Sequence, residues 1–287
     1  MTVNKTVLVI GATGNVGPPA LSRLVEAGAP VRALLIKDDP NADRVPDGVE
    51  VFHGDLAEPD SLDDALDGLD AVFLMWPFFT LPVGTAPEVL AKIEQHARRV
   101  VFVSSVGVHI GLERRDNNCH AHLEELLEKT TLEWTFLRTT GFMANALGFA
   151  GQIRAGGTVH FPYGAAARTS VHEGDLAAVA VRALLEDGHA GQKYLVTGPE
   201  VVSQKEQVHI IGEVLGRSLT WQDVLAQDAR DQMVASGWPP AYADGALDYF
   251  AQLTKEPEVG SSVVEEVTGE PARTFREWAV ENAARFR

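Results

Sequence analysis

Residues 117–127 read NNCHAHLEELL and hold the chain's single cysteine, Cys119, beside His120 and His122. Side chains of these types bind metal ions, carry protons near neutral pH or act as nucleophiles. Spacing decides among those uses. Wound as a helix at about 100° per residue, Cys119, Leu123, Leu126 and Leu127 gather into one apolar stripe. His120 and His122 then flank the stripe about 160° apart. Two imidazoles at i and i+2 of a helix cannot grip one ion, whereas a pair at i and i+4 can, so no metal site is expected. Cys119 reads as a buried, inert thiol. His120 shares its side of the helix with Glu124, and a carboxylate one turn away can orient an imidazole and raise its pKa. Proton donor, ligand contact and satisfied structural histidine all remain open for His120.

A second pattern, KTVLVIGATGNVG, is an apolar strand that runs into a glycine-rich turn. Gly11, Gly14 and Gly17 let the backbone turn tightly, and the helix that follows points its free N–H groups at an anion. The strand before and the helix after are the context that separates a dinucleotide pyrophosphate site from a bare glycine motif. Pro18 and Pro19 suit a first helical turn, where no N–H has an intrahelical acceptor. Thr13, Gly14, Asn15 and Val16 are therefore expected, with Gly11, to hold the phosphates. The second strand ends LLIKDDP. A cation there favours a 2′-phosphate and an acid favours a free ribose hydroxyl. Lys37 points to NADPH and Asp38 and Asp39 to NADH, with NADPH the expected cofactor.

The elements that must position these residues alternate regularly. Short apolar strands VLVI, VRALLI, VEVFHGDL, DAVFLMW, RVVFVSSVG and EWTFLRTT are separated by helical segments. That alternation implies an α/β fold, a Rossmann-type doubly wound parallel sheet. Leu21, Leu24 and Val25 mark the first helix, and Ser61 reads as the N-cap of the one after the third strand. After Gly141 the rhythm breaks into a glycine- and aromatic-rich stretch without a period. The expected division is a nucleotide-binding domain over 1–140 and a smaller C-terminal substrate lobe over 141–287, with about 168–198 returning to the sheet. Asp175 reads as the cap of a helix in that returning segment.

Bulk properties narrow the partners. The 287 residues carry a formal net charge of −16 without a dense Lys/Arg cluster, which argues against nucleic acid. No run of about 18 apolar residues exists, so no membrane span is expected. One cysteine and no signal-peptide pattern point to the cytoplasm. The expected partner is a small-molecule substrate, for a monomer or homodimer.

In doubly wound sheets, ligands sit at the carboxyl ends of strands. Met75, Trp76 and Pro77 end the fourth strand and are placed beside the cofactor, with plain core as the alternative for Trp76. Asp55 and Leu56 end the third and suit the adenine, Asp55 alternatively capping a helix.

GATGNVG, GDLAEPDSLDDALDGLDAVFL, VVFVSSVGV, HAHLEELLEKTTLEWTFLRTTGFMAN and YLVTGPE together resemble the atypical short-chain dehydrogenase/reductases. The nearest resemblance is to their NmrA-like branch, with its NADPH-dependent quinone, azo and triphenylmethane reductases, and it spans nearly the whole chain. It implies an NAD(P)H-binding Rossmann domain and a C-terminal lobe that closes the substrate cleft. The typical Tyr-x-x-x-Lys pair on the helix after the fifth strand is replaced here by His120 and Glu124. Ser104 and Ser105 fall where the typical catalytic serine lies, and either meet the cofactor or substrate or bond local backbone. Thr139, Gly141, Phe142 and Asn145 follow the sixth strand toward the cleft. Phe142, Phe149, Phe161 and Tyr163 form either an aromatic pocket or core. The expected activity is reduction of a quinone, enone, dye or similar conjugated acceptor. An NAD(P)H-sensing regulator and a biosynthetic tailoring isomerase are the alternatives.

Overall fold

The computed structural model describes residues 5–111 and 119–287. Its first strands and helices are β1 (Val7–Ile10), α1 (Gly17–Glu26), β2 (Val31–Leu35), β3 (Glu50–His53), α2 (Asp63–Leu66) and β4 (Ala71–Leu74). Then come α3 (Ala86–His96), β5 (Arg99–Ser105), α4 (Val106–His109), α5 (Cys119–Leu127) and β6 (Glu133–Thr139). They are followed by α6 (Ala150–Ala155), β7 (Thr158–His160), β8 (Ala167–Arg168), α7 (Glu173–Leu185), β9 (Lys193–Val196) and β10 (Val202–Ser203). The chain finishes with α8 (Gln204–Leu215), β11 (Thr220–Gln222), α9 (Ala226–Ala235), α10 (Pro240–Leu253), α11 (Val263–Thr268) and α12 (Phe275–Glu281).

The described residues form two compact units, 5–111 with 119–139 and 173–195, and 140–172 with 196–287. The first is built on a sheet of order β3-β2-β1-β4-β5-β6-β9. The pairs from β3 through β6 are parallel. Order reverses between β1 and β4, the topological switch point at which such sheets open a crevice. Both faces are covered, which is why β1 and β4 are apolar at every position and fully buried. One face carries α2, α3 and α5 over Val100, Phe102 and Phe136. On the other, α1 packs against α7. The buried side of α1 is Gly17, Ala20, Leu21 and Leu24, while Val25 is 36% exposed.

Two helix starts differ from the sequence expectation. The helix carrying Asp175 begins at Glu173, so Asp175 lies inside its first turn instead of capping it. Ser61 sits within a 3-10 turn, Pro59–Leu62, and its hydroxyl donates to the carbonyl of Glu58 at 2.6 Å.

The second unit has its own core, centred on Trp278, Phe275, Phe286, Ile153 and Ile211. Capping boxes start two of its helices, Ser203 with Glu206 on α8 and Thr274 with Glu277 on α12. Helices α9 and α10 bury Ala229 and Met233 against Ala243 and Leu247 in a smaller cluster. The aperiodic stretch becomes a 3-10 segment, Met143–Phe149, then α6 and the short strands β7 and β8.

Candidate active site

After β1 the chain turns at Gly11, whose φ of +87° lies in the left-handed region. A Cβ at Gly11 would meet the Cβ of Met75 at 3.0 Å. At Gly17 a Cβ would lie 2.3 Å from the carbonyl oxygens of both Gly11 and Ala12. Gly14 donates its N–H back to Gly11 at 3.2 Å, tightening the turn. Among the described residues, the N–H groups of Asn15, Val16 and Gly17 meet no backbone carbonyl. They stand at the N-terminus of α1, with Pro18 and Pro19 in its first turn. Free donors and the helix dipole attract an anion, and the missing side chains let the turn close tightly on Met75 and on its own carbonyls, which sets those donors side by side. The residues present therefore fit the pyrophosphate of a dinucleotide, with the N–H groups of Asn15, Val16 and Gly17 free to meet it.

The loop after β2 folds back onto this turn. Thr13 Oγ1 donates to Asp39 Oδ2 at 2.9 Å, and Arg44 Nη1 donates to the Thr13 carbonyl at 2.6 Å. Lys37 is exposed, and Asp38 takes a φ of +60°, which aspartate tolerates better than most residues. Arg44 is a cation that sequence reading missed, since its partner is 31 residues away. Asp55 Oδ1 accepts from the N–H of Ala57 at 2.8 Å, which closes a local turn, and Leu56 is buried in the core.

At the carboxyl ends of β4 and β5, several expected ligand contacts are engaged by the protein itself. Met75 lies against Gly11, and Pro77 is exposed. Trp76 is 3% exposed and its Nε1 donates to Leu81, so it takes the core alternative. Ser105 accepts from the N–H of Gly107 and caps α4. Ser104 Oγ donates to Glu124 Oε1 at 2.5 Å. Arg138, on β6, grips the same carboxylate through Nε at 3.0 Å and Nη2 at 2.6 Å.

Glu124 is thus the partner of Ser104 and Arg138, and the expectation that it orients His120 and raises its pKa is corrected. The His120 ring packs on Phe78, centroids 4.0 Å apart, and faces Phe102 at 6.3 Å. Although its side chain keeps some accessible surface, burial lowers its pKa to about 4. At neutral pH the ring is uncharged, able to hydrogen-bond but not poised as an acid. Cys119 is partly exposed, while Leu123 and Leu127 are buried. Asn117 and Asn118, which open the histidine segment, lie outside the described residues.

Within the second unit, Phe149 packs edge-on against Phe161 and Trp221 at 5.8 and 5.4 Å. Phe142 leads into the 3-10 segment, and Asn145 is exposed. Tyr163 has a φ of +62°, a strained value for a tyrosine. Gln204 Nε2 holds the strained turn by donating to the carbonyls of Pro162 and Tyr163 at 3.2 and 2.9 Å. Tyr163 borders a cavity of about 370 Å³ together with Val224, Leu225 and Thr254; Phe142, Asn145 and Phe149 do not line it. Among the described residues, no cluster of three His, Cys, Asp or Glu side chains could hold a metal ion, and no helix is long and apolar enough to cross a membrane.

The sequence profile of a family described as NAD(P)H-binding matches residues 11–187, from the glycine turn to the end of α7. The chain belongs to this NAD(P)H-binding family. It is 36% identical over 292 residues to the (4-alkanoyl-5-oxo-2,5-dihydrofuran-3-yl)methyl phosphate reductase of Streptomyces griseus, covering 98% of this chain and 99% of the relative. It is 32% identical to the NAD(P)H azoreductase of Xenophilus azovorans, covering 98% and 99%. Its fold matches the triphenylmethane reductase of Citrobacter sp. with a TM-score of 0.79 at 21% identity, over 97% of this chain and 99% of that one. The NAD(P)H-binding family thus accounts for the glycine turn, and the relatives carry the likeness through the second unit.

Proposed function

We propose that this NAD(P)H-dependent oxidoreductase reduces a conjugated, electron-poor small molecule without a general acid on α5. The observation that carries the reading is the state of His120 and Glu124, the two residues that the family resemblance puts in place of a Tyr/Lys pair. His120 is uncharged at neutral pH, and both oxygens of Glu124 are committed to Ser104 and Arg138. Reduction of an isolated carbonyl develops alkoxide charge that calls for a positioned proton donor. An enone, butenolide, quinone or azo bond spreads the incoming charge over its π-system and takes its proton from water.

The nicotinamide, when bound, supplies the hydride. The chain's part is to hold and orient: Thr13 through Val16 at the pyrophosphate, Met75 and Pro77 at the switch point, and His120 as an uncharged contact. Phe142, Asn145, Phe149 and Tyr163 of the second unit are proposed as acceptor contacts. Among acceptors, a 2,5-dihydrofuranone activated by an acyl group is the class named for the Streptomyces relative, and it supports a butenolide or enone here. NADPH is favoured over NADH because Lys37 and Arg44 place two cations on the loop after β2, while one of the opposing carboxylates, Asp39, is tied to Thr13.

Stopped-flow oxidation of NADPH and of NADH against a panel of butenolides, enones, quinones and azo dyes tests the proposal. Turnover of at least one conjugated class, faster with NADPH, is expected. Tight cofactor binding with no oxidation above background across the panel would make the protein a dinucleotide sensor instead.

A further inference from the structure

On the face that packs under α3 and α5, strand β5 presents Val100 and Phe102, both fully buried, and then Ser104, which is 2% exposed. Register sets these beside Trp134, Phe136 and Arg138 of β6. An apolar column thus ends in a polar pair, and α5 brings Glu124, itself 3% exposed, down onto both members. Three donor atoms meet this one carboxylate at 2.5, 3.0 and 2.6 Å. Apolar helix faces can shift along a sheet by changing rotamers. A buried carboxylate gripped bidentately by an arginine cannot, because any displacement leaves a charge unpaired in a medium that solvates it poorly.

His120 lies four residues earlier on the same helix, one turn of about 5.4 Å away. We infer that the Ser104–Glu124–Arg138 network is a positioning device, registering α5 on the carboxyl ends of β5 and β6 so that His120 is held at its contact point against Phe78. The inference rests on the proposed reading of His120 as a ligand contact. Glu124 and Arg138 are positioning residues. A second consequence concerns Ser104: with its proton committed to Glu124, its hydroxyl can accept a hydrogen bond from a ligand but cannot donate one.

The double variant Glu124→Leu/Arg138→Met separates positioning from mere filling of the core, because apolar residues of similar volume commonly replace a buried ion pair without loss of stability. The readouts are the thermal midpoint, the His120 pKa from ring-proton NMR, NADPH affinity by fluorescence, and kcat and KM for a butenolide or quinone. The double variant is expected to melt at or above the parent. Its His120 pKa should rise by at least about one unit as the ring is released toward water. Acceptor KM should increase about tenfold with a smaller change in kcat. Glu124→Gln keeps a hydrogen-bonding group in place but leaves the Arg138 guanidinium without its counter-charge, so it should melt below both, with a His120 pKa and an acceptor KM between theirs.

A stable double variant with the parent's His120 titration and KM overturns the inference. If the double variant does not fold, Glu124→Gln decides it, and an unchanged His120 titration there overturns it equally. A shifted titration with unchanged KM upholds the positioning role but sinks the reading of His120 as an acceptor contact. Should no form turn over any acceptor, the His120 titration by itself decides whether the network positions the ring.

Discussion

Burial holds the His120 imidazole uncharged down to about pH 4, whereas the same ring in an unfolded chain titrates near 6.5. As pH falls, the unfolded state therefore takes up the proton first. Stability is unaffected above about pH 6.5, declines below it, and stops declining near pH 4, where both states are protonated. The full effect amounts to about 3 kcal/mol. His120→Phe keeps an aromatic ring against Phe78 and removes the titration. Urea unfolding at about pH 7.5 and about pH 4.5 should show the parent losing about 2–3 kcal/mol more than the variant. Equal losses would place the ring in water. At this scale legibility depended on distance along the chain. The tight turn at Gly11 and the helix start behind it could be read because both are written in consecutive residues. Arg44 and Arg138 could not, since each acts on a partner contributed by another element. Trp76 was undecided because an indole serves equally as core and as ligand wall.

Helix α7 illustrates how an element is finished by residues far from it. Arg99, only 6% exposed at the start of β5, donates to the carbonyls of Leu184 and Glu186 and to the carboxylate of Asp187. It thereby caps the C-terminus of α7, where unpaired carbonyls and the negative dipole end favour a cation. Arg99→Met should cost about 2–3 kcal/mol in urea unfolding and speed amide exchange in the last turn of α7. NADPH affinity should stay within about twofold, because Arg99 sits about 20 Å along β5 from the ligand-facing edge. A large loss of affinity would show that α7 transmits strain to the glycine turn. Strands and most helices of the first unit were legible because buried parallel strands read as apolar runs. Asp175 and Ser61 misled as caps because either residue type is also at home in a first turn. The stretch after Gly141 offered no period, because 3-10 turns and strands of two or three residues bury too few side chains to leave one.

The doubly wound order brings Gly11, Met75 and the ends of β5 and β6 to one edge of the sheet, although they are scattered along the sequence. That convergence was legible as a fold class, while the second unit was legible only as a region with its own composition. The two units have separate cores, so a ligand held by the glycine turn need not stabilise both alike. NADPH at about one hundred times its Kd should stabilise what it binds by about 2.7 kcal/mol. Hydrogen exchange with and without NADPH can show where that energy appears. Protection should rise most in the turn from Gly11 to Gly17, the start of α1, and β1, β4 and β5, and least in α9 and α10. Those two helices pack on a small cluster of their own. A uniform gain across both units would instead mean that they unfold as one cooperative body, in which case a destabilising substitution in the core of the second unit should lower the unfolding free energy read from β1 and β4 by the same amount.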